Sequence, residues 1–188
     1  SICVSCFSLQ CCHAVSEECN KKTKRGVRMS LAKKNFELAK SVSARGDGQG
    51  AMRLYKAALA CNPTWGEARY MLSIEMERSG STSEAIDSMM KAARMEPKLA
   101  GDAFFEMGVW HSRAGDYLRS RTSFAESVRM RPERADGWSN LGVVNHHMGR
   151  FQEALEAYRT SIRVQPTYAT SYFNVGKVMQ ELGDVAAA

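Results

Sequence analysis

The chain has 188 residues, of which 44% are hydrophobic and 24% charged, a composition that is typical of a globular protein and too apolar for a disordered one. A membrane-spanning helix needs about 18 consecutive apolar residues, and no apolar stretch of this sequence approaches that length, so membrane insertion is not expected. The net charge of +6 divides into +3 over residues 1–28 and +3 over the rest, where 21 basic residues face 18 acidic ones. This near balance does not predict nucleic-acid binding.

Residues 1–28 form a basic, cysteine-rich segment without helical or strand periodicity, and we expect a disordered leader that is not native if translation starts at Met29. Cys3-x-x-Cys6 could begin a zinc site, but the spacing of a second ligand pair is missing, so zinc is disfavoured. The basic run of residues 21–25 is a weak nuclear address. Cys61 alone cannot build a disulfide framework in the body, which predicts a reducing, cytoplasmic location.

Proline and glycine recur at one fixed period in the rest of the chain. The prolines are separated by 34, 35 and 34 residues: Pro63, Pro97, Pro132 and Pro166. The glycines that keep this period are Gly46, Gly80, Gly115, Gly149 and Gly183. Such a period predicts an array of repeated units that bury their apolar faces by stacking.

Small and large residues also repeat, with helical spacing. A small residue follows each glycine by five positions: Ala51, Ala85, Ser120, Ala154 and Ala188. Four positions later comes a large one (Tyr55, Met89, Phe124, Tyr158), and three later a small one (Ala58, Ala92, Ser127, Ser161). Steps of three and four lie on one helix face, where small residues let two helices approach closely. Each unit is therefore predicted to be a helix, a glycine turn, a second helix and a proline break.

This pattern resembles the tetratricopeptide repeat (TPR). The fourth unit carries most of that family's motif: Trp138-x-x-Leu141-Gly142, Gly149, Ala154, Tyr158 and Pro166. The resemblance divides a domain of residues 29–188 into units 32–65, 66–100, 101–134, 135–168 and a partial unit 169–188, cut in its second helix. Asn35 and Arg69 depart from the motif where it has an aromatic residue, and Ser120 departs where it has alanine.

The resemblance implies an all-α solenoid, a right-handed superhelix of stacked helix-turn-helix units whose first helices line a concave groove. The solenoid is expected to be incomplete at its C-terminus. Unless the chain continues, we expect this uncapped apolar end to promote self-association.

A partner is expected in the groove, on outward residues of the first helices. Four aromatic residues share one repeat position and could anchor an apolar peptide: Phe36, Tyr70, Phe105 and Phe173. The alternative is that these rings pack against the adjacent repeat. Asn140 and Asn174, with Lys177 nearby, could bind a peptide backbone, although asparagine is also common at this position for structural reasons. The two asparagines resemble the asparagine ladder of O-GlcNAc transferases.

No catalytic constellation, metal site or cofactor-binding motif stands out, so the visible chain is not expected to be an enzyme. The main hypothesis is a protein-interaction module or adaptor that binds a peptide or partner protein in the groove. The alternative is the substrate-recruiting repeat region of a larger enzyme, such as a glycosyltransferase similar to O-GlcNAc transferase. RNA binding is disfavoured because acidic residues such as Glu67, Asp102 and Asp136 would repel phosphate.

Overall fold

The computed structural model describes residues 25–187. These residues fall into two compact units, one ending at Leu99 and the other beginning at Ala100. The first unit contains α1 (Arg25–Ala44), α2 (Gly48–Cys61), α3 (Gly66–Arg78), α4 (Thr82–Met95) and a 3-10 turn (Pro97–Leu99). The second contains α5 (Ala100–Arg113), α6 (Tyr117–Met130), α7 (Ala135–His147), α8 (Phe151–Val164) and α9 (Ala169–Ala187). The predicted all-α array of helix pairs is confirmed.

The predicted glycine turns separate the two helices of the first four repeats. Each turn glycine has a positive φ, between 71° and 89°, a conformation that side chains with a Cβ rarely adopt. The second helix then begins beside the turn. Asp47 caps α2 by accepting a hydrogen bond from the Gly50 N–H at 2.7 Å, and Asp116 does the same for Arg119 N–H in α6 at 3.0 Å.

Close contact between a small residue on one helix and a large side chain on the next forms the core of each helix pair described below. In the second unit, a Cβ on Gly108 would lie 2.8 Å from the Phe124 ring, and a Cβ on Gly142 would lie 2.5 Å from the Tyr158 ring. Tyr158 and its first-unit counterpart Tyr55 are fully buried, and burial raises the pKa of both phenols to about 12. Both therefore stay neutral at physiological pH.

Buried serines join the helices by hydrogen bonds to main-chain carbonyls. Ser120 Oγ donates to Gly108 O at 2.8 Å, and Ser127 Oγ donates to Gly101 O at 2.8 Å. Ser161 Oγ donates to Ala135 O at 2.7 Å. Ser120 stands where the motif has alanine, but it leaves no unpaired hydroxyl in the core, because its hydroxyl reaches a carbonyl on the facing helix.

Three features differ from the sequence-based expectations. Helix α1 begins at Arg25, inside the predicted leader, while residues 1–24 and the zinc alternative placed there lie outside the described residues. Gly183 does not end a helix, because α9 continues to Ala187. Cys61 is disulfide-bonded, a bond that the sequence analysis did not predict.

Gly142→Ala should destabilise the protein by about 1–3 kcal/mol, because the new methyl group overlaps the ring of Tyr158. The matched control is Gly176→Ala, at the same repeat position on α9, where no atom lies within 4 Å of the added Cβ. That change should be neutral or stabilise by up to about 1 kcal/mol, since alanine favours helix. Urea unfolding followed by circular dichroism measures both, and equal effects would contradict the contact.

Candidate partner-binding surface

The aromatic side chain of Phe36 lies in the core of the first unit, and its prediction as an exposed anchor is corrected. Only 3% of Phe36 is exposed, and its ring centroid lies 4.5 Å from that of Trp65 and 5.8 Å from that of Tyr55. Lys40 lies over the same ring, with Nζ 5.0 Å from the centroid. The ring faces α2 and the start of α3, so burying it against them gains more than leaving it in solvent. Tyr70, at the same repeat position on α3, is half-buried.

Phe105 is half-buried on α5 and is covered by a cation. The guanidinium carbon of Arg134 lies 3.6 Å from the centroid of the Phe105 ring, within the range of a cation–π contact. The Phe124 ring meets Phe105 edge-on, with centroids 5.6 Å apart. A partner that reaches this ring must therefore displace or stack beside Arg134.

Carboxylates on α5 and α7 hold Arg134 in this place. Arg134 Nη1 donates to Asp102 Oδ1 at 2.9 Å, and Arg134 Nε donates to Asp136 Oδ1 at 2.9 Å. Arg131 Nη2 donates to the other oxygen of Asp102 at 2.6 Å. The charges of Asp102 and Asp136, at the start of α5 and α7, are therefore balanced by the two arginines of the loop that joins α6 to α7. No sequence pattern predicts that Arg134 is a neighbour of Phe105, because the contact depends on how this loop packs against the first turns of α5.

The remaining predicted residues lie on α7 and α9. Asn140 is half-buried on α7, and Asn174 is half-buried on α9. Phe173 is 73% exposed, and Lys177, one turn further along α9, is exposed as well. Of the predicted aromatic residues, Phe173 is thus the one whose ring is mainly in solvent.

A histidine–carboxylate contact joins α7 to α9. His146 Nε2 lies 2.7 Å from Glu181 Oε2, and the neighbouring His147 stacks on Tyr117 with centroids 4.9 Å apart. The hydrogen bond from His146 is the main reason that the pKa of Glu181 falls below its usual value. These residues are 35 positions apart, and the sequence analysis missed the pair because neither residue repeats between units.

The described residues also bear on metal and membrane sites. Within residues 25–187, no group of three or more His, Cys, Asp or Glu side chains is placed to hold a metal ion. No helix in this part of the chain is long and apolar enough to cross a membrane.

Known proteins share this architecture. The sequence model described as tetratricopeptide repeat matches residues 135–168. Those residues are a tetratricopeptide repeat. Among curated proteins, a sequence search finds no match to the chain.

Solved structures with the same fold support this result along most of the chain. A crystal structure of MamA is 22% identical, covers 81% of this chain and 83% of its own, and superposes with a TM-score of 0.73. PilF from Pseudomonas aeruginosa is 18% identical, with coverages of 84% and 71% and a TM-score of 0.71. YrrB, described as a TPR protein with an unusual peptide-binding site, is 19% identical, with coverages of 79% and 76% and a TM-score of 0.66. At these identities the likeness shows the tetratricopeptide fold, and the resemblance to O-GlcNAc transferases stays a prediction.

Arg134→Ala should destabilise the protein by about 1–3 kcal/mol, because it removes the cation over Phe105 and leaves Asp136 without that hydrogen-bond partner. Arg129→Ala is the control, since Arg129 forms a similar hydrogen-bonded pair with Glu126 on the exposed surface of α6. Its effect should be small, because exposed ion pairs contribute little to stability. Denaturant midpoints compare the two, and a loss no greater for Arg134 would argue against the stacking.

His146→Gln should raise the pKa of Glu181 toward its usual value, because the hydrogen bond that favours the carboxylate is weakened. In the wild-type protein, the lowered pKa stabilises the folded state above the ordinary glutamate pKa. This contribution is lost as pH falls through the lowered value. Carbon-13 NMR titration of the glutamate carboxyls measures the shift.

Glu153 is the internal control for this titration. Its pKa is also lowered, but by a backbone hydrogen bond and by Arg150, so His146→Gln should leave it unchanged. Parallel changes at Glu153 and Glu181 would point to a global effect of the substitution instead of the loss of one contact.

Proposed function

We propose that the chain is a protein-interaction module that binds a peptide or a partner protein on the first helices of its repeats. The observation that carries this proposal is the exposed ring of Phe173 beside Asn174 on α9, a helix that packs against α8 and lies next to α7. An aromatic ring in solvent is a good anchor because burying it removes a large apolar area from water at a low cost in side-chain entropy.

The polar residues near this ring suit a peptide main chain. The amides of Asn140 and Asn174 are each half-exposed, and each can donate to a carbonyl and accept from an N–H. Lys177 adds a positive charge one turn beyond Phe173. Such a surface favours an extended segment with an apolar side chain at its centre and an acidic residue on the Lys177 side. The peptide-binding site named for YrrB gives a precedent within the same fold.

Phe105 contributes differently in this proposal. Because Arg134 covers its ring, the Phe105 position presents a guanidinium on an aromatic base instead of an open apolar surface. This arrangement favours a partner that brings a carboxylate to Arg134. The proposed partner surface therefore comprises Phe173, Asn140, Asn174, Lys177 and the Arg134–Phe105 stack.

Peptides selected from a random display library against the intact chain provide the test. Phe173→Ala should weaken the selected peptides by at least about tenfold, the loss typical of an aromatic anchor. Tyr172→Ala is the matched control, because Tyr172 is the next residue on α9 and is 51% exposed. It should leave binding unchanged.

The two outcomes separate the possible surfaces. If Tyr172→Ala weakens binding and Phe173→Ala does not, the partner lies on another face of α9. If neither variant affects any selected peptide, binding does not use this surface, and the proposal is wrong.

A further inference from the structure

The first unit contains a cleft with a buried carboxylate in its wall. The cleft has a volume of about 320 Å³ and lies where the turn between α1 and α2 meets the end of α3. Its lining residues are Ser43, Gly46, Gly48, Gln49, Glu75, Arg78 and Ser79. Glu75 is only 3% exposed, and a buried carboxylate is costly unless charges and hydrogen bonds compensate for its lost hydration.

The repeat pattern shows how unusual this carboxylate is. Later repeats place an apolar side chain at the position of Glu75, and all three are buried to at least the same degree: Trp110, Val144 and Val178. In the first repeat the same position is the exposed Ser41. Within the described residues, Glu75 is thus a charged residue in a core position. Such a departure from the pattern of its own repeats is expected at functional sites.

A second departure opens the cleft. The third and fourth repeats place an aromatic ring two positions after the turn glycine, at Tyr117 and Phe151. Phe151 packs against the buried cluster around Leu155. The first repeat has Gly48 there, and a Cβ at this position would already lie 3.0 Å from Glu75 Oε2. The missing ring therefore leaves space directly beside the carboxylate.

The hydrogen bonds of Glu75 indicate what the cleft accepts. Ser43 Oγ and Arg78 Nη1 both donate to Glu75 Oε1, each at 2.7 Å. Neither bond uses Oε2, the oxygen on the Gly48 side. The Arg78 side chain is 61% exposed and reaches Glu75 from the solvent. A guanidinium on this carboxylate is therefore already part of the structure, and Oε2 offers a second acceptor toward the cleft.

We infer that this cleft is a binding site for a basic side chain, arginine or lysine, from a partner protein. The incoming cation pairs with Glu75 Oε2 in the space that Gly48 leaves open, while Ser43 holds the carboxylate in place through Oε1. The inference goes beyond the proposed surface of the second unit, and it rests on the proposed function only for the source of the cation. Its ligand preference is opposite to that of Lys177 and Arg134, which favour carboxylates.

The test uses N-acetylargininamide and N-acetyllysinamide as probes of the intact chain, followed by NMR of the backbone amides. At least one probe should shift the signals of Ser43, Gly46 and Gly48 in a saturable manner. N-acetylcitrullinamide, which has a similar shape to the arginine probe and no charge, should not. Glu75→Gln should weaken binding by at least about tenfold. The control Glu84→Gln, which removes the same charge from an exposed position on α4, should not weaken it.

A second variant tests the inference even if Glu75→Gln does not fold. Gly48→Phe places in the cleft the ring that Phe151 supplies in the fourth repeat, so it should abolish probe binding while Glu75 is retained. Absence of saturable shifts, equal binding of the citrulline probe, or unchanged binding by a folded Glu75→Gln variant would each overturn the inference. Because the probes are small molecules, their failure is distinguishable from failure of the peptide selections.

Discussion

The close approach of two helices within a repeat is the constraint on which the rest of the structure depends. It requires a residue with little or no side chain opposite a large ring, as at Gly142 opposite Tyr158. At this separation a serine hydroxyl on one helix can reach a main-chain carbonyl on the other, as Ser161 reaches Ala135. Close packing and buried hydrogen bonds therefore have one cause.

Both proposed sites lie on first helices, outside this close contact. The second helices use their apolar stripe in the core, while the first helices also carry residues that the core does not need. Glu75 and Phe173 are both on first helices, yet one is buried beside a cleft and the other is mainly in solvent. The two proposed sites thus differ in physical character. One selects a cation by a desolvated charge, and the other selects an apolar group by exposed area.

The sequence was sufficient to predict the helix pairs, the turns at Gly46 to Gly149 and the small-and-large contacts, because each depends on spacing along one chain. It did not predict that the Phe36 ring would be covered, since that ring packs on Trp65, 29 residues further along the chain. The stacking of Arg134 on Phe105 and the pairing of Ser43 with Glu75 were missed for the same reason. Local periodicity determines the helices, whereas these contacts join residues about 30 positions apart, and such partners cannot be identified from the spacing within one helix.

The turn glycines carry one more consequence. A Cβ at Gly46, Gly80, Gly115 or Gly149 would meet no atom within 4 Å, so space does not require glycine there. The requirement comes from the backbone alone, because φ is positive at all four positions. Asparagine and aspartate tolerate that conformation better than other residues, and β-branched residues tolerate it least. Evolutionary drift at these turns should therefore lead from glycine toward asparagine or aspartate, and the tips of the repeats can change chemically without any adjustment of the core.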